Sequence, residues 1–164
     1  MKKAASFLLT LLALASGTSA IAREDSWPIE HSTTHVQCPW RLEGPTARVF
    51  TNPSHWLEIM NMPEDKAAGH AVDWHYDDII VFGIDTQRNL GTRLKVDPLV
   101  LQLSGREARL QVDVNRPRPG QMTASAIARP CVVAVVRKRS WRTLEVRETD
   151  SGMVLWRGRI HSRH

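Results

Sequence analysis

No stretch of the 164 residues is apolar for the roughly 20 positions that a membrane-spanning helix needs. The longest such run, Ala4 to Ala15, is interrupted by Ser6 and Thr10 and is too short to cross. Cysteine is scarce, with only Cys38 and Cys131. Neither stands where a lipid-modified cysteine follows an export segment, since Cys38 lies well downstream and precedes Pro39. There is no G-x-S-x-G elbow, no H-E-x-x-H and no P-loop, so the commonest signatures of serine hydrolases, zinc proteases and nucleotide-binding enzymes are missing. The chain also lacks internal repeats and low-complexity tracts.

What is present begins with an address. Lys2 and Lys3 precede the apolar run, and small residues lead to Thr18-Ser19-Ala20 and Ala20-Ile21-Ala22. This is the three-part layout of a secretory signal peptide, with cleavage expected after Ala20 or Ala22. The expectation is a periplasmic or secreted protein that folds in an oxidising compartment. No stable membrane insertion is expected after cleavage. Removing residues 1–20 leaves 144 residues, an ordinary size for one domain, and lowers the formal charge from +5 to +3. So mild an excess does not argue for nucleic acid.

Basic residues gather late, at Arg137, Lys138, Arg139, Arg142, Arg147, Arg157, Arg159 and Arg163. Two readings compete: a solvated face of alternating strands, or a docking surface for an acidic partner or an anionic envelope polymer. The cysteines form a countable pair. A Cys38–Cys131 bridge closes a loop of about 93 residues, for which chain entropy sets a ceiling of about 4–5 kcal/mol. The alternative is two separate thiols, with Cys131 as a small buried hydrophobe.

Residues 21–45, with three prolines and no period of 2 or 3.6, read as an irregular lead anchored by Trp27 and Trp40. Thr46 to Phe50 reads as a strand. Asn52-Pro53 is a good helix start, and a helix over 53–61 puts Trp56, Leu57 and Met60 on one apolar face before Pro63 ends it. Ile79-Ile80-Val81-Phe82 and Val132 to Val136 are continuous apolar runs, as in strands buried on both faces. Thr92 to Val96 alternates and is broken by Asp97-Pro98. Leu99, Leu101 and Leu103 then share a face and form a hairpin with Ala108 to Val114 through Ser104-Gly105-Arg106. A last hairpin turns at Thr149 to Gly152. The sum predicts a mainly β fold, a small antiparallel β-sandwich or partly closed barrel of about seven or eight strands with one short helix. The domain plan is a signal peptide over 1–20, the irregular lead over 21–45 and a single β-rich domain over 46–164.

The polar residues offer little chemistry. His70, Asp73, His75, Asp77 and Asp78 sit close together, but loose spacing without cysteine reads as the solvated start of a strand rather than a metal site. Asp77-Asp78 fits the role of keeping a strand end in water better than that of an acid/base pair. Cys131, between Pro130 and an apolar run, reads as buried rather than nucleophilic. No metal, cofactor or catalytic residue is expected, and the chain reads as a non-enzyme. Trp141, within Arg139-Ser140-Trp141-Arg142, is a candidate exposed binding anchor. The competing placement folds it back over a sheet edge.

An ordered set of features carries a family resemblance. Ser54-His55-Trp56-Leu57 on the helix leads to Asp73-Trp74, and a buried strand ends in Phe82-Gly83. Pro117-Arg118-Pro119-Gly120, Thr123 and Pro130-Cys131 then run into Val132 to Val136. Over roughly residues 48–147 this resembles the C-terminal-type domain of PrcB, a bacterial protease-complex subunit family. Where that family carries a Pro-Thr-Gly-Gly-Tyr-like stretch, this chain has Gln87-Arg88-Asn89-Leu90-Gly91-Thr92, and Gly91 alone is retained. The resemblance implies an exported, non-catalytic β domain that attaches to or stabilises an extracytoplasmic protease. The family's loops are in turn similar to those of chagasin-like protease inhibitors, which insert loops into a cleft.

The loops 85–92 and 115–130 are polar and set beside rigid central strands, the usual position for contact residues. Arg88, Asn89, Arg116 and Arg118 are the candidate donors to another exported protein, a protease being the candidate. The alternatives are a carbohydrate- or polyanion-binding module using Trp141 and the late arginines, and a loop-inserting protease inhibitor.

Overall fold

The computed structural model describes residues 24–38, 44–61, 63, 65, 66 and 71–160. The expected signal peptide, Trp40, His70 and Arg163 lie outside the described residues. Nine strands and one helix are present among those described: β1 (Asp25–Pro28), β2 (His31–His35), β3 (Thr46–Phe50), α1 (Pro53–Met60), β4 (Asp77–Gly83), β5 (Arg93–Ser104), β6 (Glu107–Asn115), β7 (Cys131–Arg137), β8 (Thr143–Glu148) and β9 (Val154–Arg159). They form a five-stranded sheet, β1-β5-β6-β8-β9, and a four-stranded sheet, β2-β7-β4-β3. The two sheets pack face to face as a sandwich, not a closed barrel. All pairs are antiparallel except β6 with β8, which run parallel.

The continuous apolar runs have a direct explanation. Ile80 and Phe82 of β4, with Val132, Ala134 and Val136 of β7, point between the sheets and meet Leu94, Val96, Leu101, Leu110, Val112, Leu144 and Val146. The alternate residues Ile79, Val81, Val133 and Val135 point the other way, into a second core with Phe50, Trp56 and Met60. The central strands of the smaller sheet are therefore covered twice, by the larger sheet and by α1. The helix starts as its sequence predicts: the Asn52 side chain accepts from the His55 backbone N–H at 2.9 Å, and Pro53 occupies the first turn. Leu57, however, is 48% exposed, so only Trp56 and Met60 of the expected trio reach the core.

Two further expectations need correction. The irregular lead is not irregular over 24–38, because it supplies β1 and β2. β1 pairs with β5 and β2 with β7. The turn between them changes sheets: the Ile29 N–H donates to Leu99 and the Glu30 N–H to Val135. That crossing closes one flank of the sandwich. In addition, the strands expected on either side of Asp97-Pro98 are one strand, β5, whose register against β6 shifts between Val96 and Leu101. The irregularity turns Leu99 out to solvent while Leu101 stays buried.

Cys38 and Cys131 form a disulfide, with Cα atoms 5.8 Å apart. Both residues are buried in the core under α1. The bridge pins the segment after β2 to the first residue of central strand β7. A disulfide is consistent with an oxidising, extracytoplasmic location. No helix among the described residues is long and apolar enough to cross a membrane.

Candidate functional site

The loops 85–92 and 115–130 leave the same end of the smaller sheet, the first from the end of β4 and the second into the start of β7. Gly83 and Cys131 are directly paired across those strands, so the loops emerge side by side. They are also bonded to each other. Gln87 and Ala128 exchange two backbone hydrogen bonds of 2.8 Å, and the Leu90 N–H donates to the Ala124 carbonyl at 3.3 Å. The Gln37 side chain ties in the residues after β2, donating to the Ile127 carbonyl at 2.6 Å. What sequence order separates by more than twenty residues is one surface.

Gly91 is the tightest point of that surface. A Cβ there would lie 2.5 Å from Pro117 Cγ and 2.7 Å from Thr123 Cγ2. The glycine is required by close approach, not by an unusual backbone angle. Asn89 shapes the same corner: its Oδ1 accepts from the Gly91 N–H at 3.0 Å. That hydrogen bond uses the Asn89 oxygen inside the loop and does not involve its Nδ2 donor group.

The four loop candidates thus divide. Arg88 and Arg118 are exposed, and neither guanidinium has an ion-pair partner among the described residues. Arg116 is held by Glu148, Nη1 to Oε1 at 2.8 Å, which fastens the start of the second loop to the end of β8. Asn89 shapes the loop corner through its oxygen. The structure adds two residues that polarity alone did not single out. Met122 is 98% exposed and Ile127 is 65% exposed. Apolar side chains turned outward beside free arginines are the composition of a protein-contact patch.

Trp141 is not an exposed anchor. It is 8% exposed and belongs to the core between the sheets. The segment after β7 turns the indole inward between the sheets, buried as in the competing placement but not over a sheet edge. The late arginines are also largely engaged. Buried Glu145 receives Arg109 at 3.1 Å and also Arg147, while Arg157 bonds Glu107. Burial pushes the Glu145 carboxyl up, but hydrogen bonds from Arg147 and Arg109 more than offset this and leave it below its usual range. Arg137 bridges Glu30 and Asp77, and Arg139 stacks on the Trp27 ring at 3.6 Å. Most of the late positive charge closes the sandwich's own surface.

Asp77 and Asp78 do not form a solvated strand end; both are buried. Asp77 is bonded to Arg137 at 3.0 Å. Asp78 has one oxygen without a hydrogen-bond partner, and Lys138 Nζ stands 3.9 Å away. Burial pushes the Asp78 carboxyl up to about 6, with Lys138 pulling it down and Asp77 pushing it up. Lys138 is turned mainly to backbone carbonyls of Thr51 and Trp74. Among the described residues no group of three His, Cys, Asp or Glu converges to hold a metal.

No family model, curated protein or solved structure matches the chain.

Proposed function

We propose that this chain is an exported, non-catalytic binding domain whose joined loops 85–92 and 115–130 dock another exported protein. The observation that carries the reading is the mutual pairing of the loops: Gln87 with Ala128 and Leu90 with Ala124 make them one preformed surface. Preformed contact loops lose little entropy on binding. The patch offers two free cations, Arg88 and Arg118, beside outward-facing Met122 and Ile127. Its partner therefore presents acidic residues around an apolar hollow. The PrcB-like features make an extracytoplasmic protease the candidate partner, with this domain as an attached or stabilising subunit. Export rests on the layout of residues 1–20 and on the disulfide. The polyanion alternative loses Trp141, which is buried, and part of its charge, since Arg137, Arg147 and Arg157 are ion-paired and Arg139 stacks on Trp27.

The test is charge reversal with a matched control. Arg88→Glu with Arg118→Glu is expected to weaken capture of the partner by at least about tenfold, while Arg142→Glu, at the opposite end of the sandwich, leaves it unchanged. Equal capture by both variants refutes the assignment.

A further inference from the structure

The sandwich is closed on one flank and open on the other. β1 and β2 close the first through the turn at Ile29 and Glu30. On the opposite flank stand β3 and β9, each the outermost strand of its sheet. Neither pairs with a further strand on its outer side among the described residues. Between them, and walled on the helix side by Thr51, Asn52 and the α1 residues Ser54, His55 and Glu58, lies a cleft of about 620 Å³. It shares no residue with the two-loop surface.

The cleft is not a uniform groove, because β3 carries two different faces into it. Ala47 and Val49 belong to or pack on the core between the sheets, while Phe50 belongs to the core under α1. By the two-residue period of a strand, Arg48 lies on the helix side. On the inter-sheet side the cleft is walled by Trp156 and Ile160, both only partly buried at the rim of the main core. Gly158 lets the indole lie along β9: a Cβ there would stand 2.5 Å from Trp156 Cζ2 and 2.6 Å from Cη2. Arg48 and Arg159 both line the cleft, and neither has an ion-pair partner among the described residues. Glu58 is the one carboxylate in the lining.

We infer that the free edge of β3 accepts an extended acidic peptide segment as an added strand, filling the β3–β9 cleft. An unpaired strand edge offers a row of backbone donors and acceptors, which an incoming strand satisfies. Charge complementarity selects an acidic occupant, since the lining carries two unpaired arginines against one glutamate. The alternation of β3 sets the pattern of the occupant. Acidic residues fall on the Arg48 face, and apolar residues fall between the sheets beside Val49, Trp156 and Ile160. The segment therefore reads acidic–apolar–acidic–apolar. Short length and the exposed arginine keep β3 from pairing with arbitrary strands, and an acidic partner turns that arginine into a contact.

The probe is the pentapeptide acetyl-Glu-Val-Glu-Val-Glu-amide, titrated into the full mature chain with backbone amide NMR and hydrogen exchange. It is expected to saturate and to protect alternate amides of β3 that exchange freely without it. N-methylating one alternate set of peptide amides abolishes binding, while methylating the other set leaves it intact, because only one edge of the added strand faces β3. Arg48→Glu is expected to weaken binding by at least about tenfold, with the lysine analogue Lys-Val-Lys-Val-Lys failing on the native chain. The proposal is overturned by no saturable binding, by tolerance of methylation at both sets, or by unchanged β3 exchange. Equal binding of the lysine peptide, or an acidic disaccharide such as digalacturonate binding the cleft in preference to the peptide, also overturns it.

Discussion

Gly91 and Asp78 show how much a single position decides. Gly91 stands where the two loops touch, and a side chain there must displace Pro117 or Thr123. Gly91→Val is expected to cost about 1–3 kcal/mol of stability, the usual range for overpacking, and to shift amide signals chiefly in 85–92 and 115–130. Shifts spread evenly over the β-core would contradict the placement. Asp78 is a carboxylate whose folded pKa, about 6, exceeds its ordinary 3.8. Its contribution to stability is therefore full below about 3.8 and lost as pH rises through about 6. Asp78→Asn removes that dependence: urea unfolding is expected to show a flatter profile between about pH 4 and 6 and a more stable variant at neutral pH. Destabilisation at neutral pH would mean that the ionised form is favoured in the fold. Neither property was visible in the sequence. Asp77-Asp78 reads as a polar strand start because the coverage that buries it comes from residues far along the chain. Trp141 misleads for the same reason: its neighbours are basic, but the hydrophobic surface behind it belongs to other strands.

At the scale of elements, the sequence marks what is apolar and misses what is held by backbone alone. β4, β6, β7, β8 and α1 follow from periodicity, runs and an Asn-Pro cap. β2, His31-Ser32-Thr33-Thr34-His35, has no apolar residue, and its place is set by five paired positions against β7. The short β1 ends in Pro28, a residue tolerated on edge strands, so the lead reads as irregular from its sequence. Asp97-Pro98 reads as a break in β5 because proline usually ends a strand, yet here it falls within the register shift against β6. The disulfide works at this scale too. It ties the lead to β7 across 93 residues of sequence. Cys38→Ser with Cys131→Ala is expected to cost about 2–5 kcal/mol in denaturant unfolding. An unchanged midpoint would show that pairing with β7 already fixes the segment. The helix cap is a smaller contribution, and Asn52→Ala is expected to cost about 1 kcal/mol by the same measurement.

The whole molecule is a sandwich whose smaller sheet is covered on both faces of its central strands, with unlike ends and unlike flanks. The β1–β2 crossing closes one flank and the β3–β9 cleft opens the other. The two loops crown the end at which the disulfide fixes β7. This arrangement explains why the candidate site was only half legible. Sequence located both loops and named Arg88 and Arg118. It did not reveal that the loops pair, that Arg116 is engaged within the domain, or that Met122 and Ile127 face outward. Those facts depend on Gln87 meeting Ala128, a contact that no local pattern encodes. The central claim is that this paired surface is where a partner docks. Its most direct measurement is site-specific photo-crosslinking in cells that export the full chain, with the crosslinker at position 122 and, as a control, at exposed position 140. A single adduct with an exported protein at position 122 and none at 140 is the predicted result. Adducts at both positions, or at 140 alone, would contradict it.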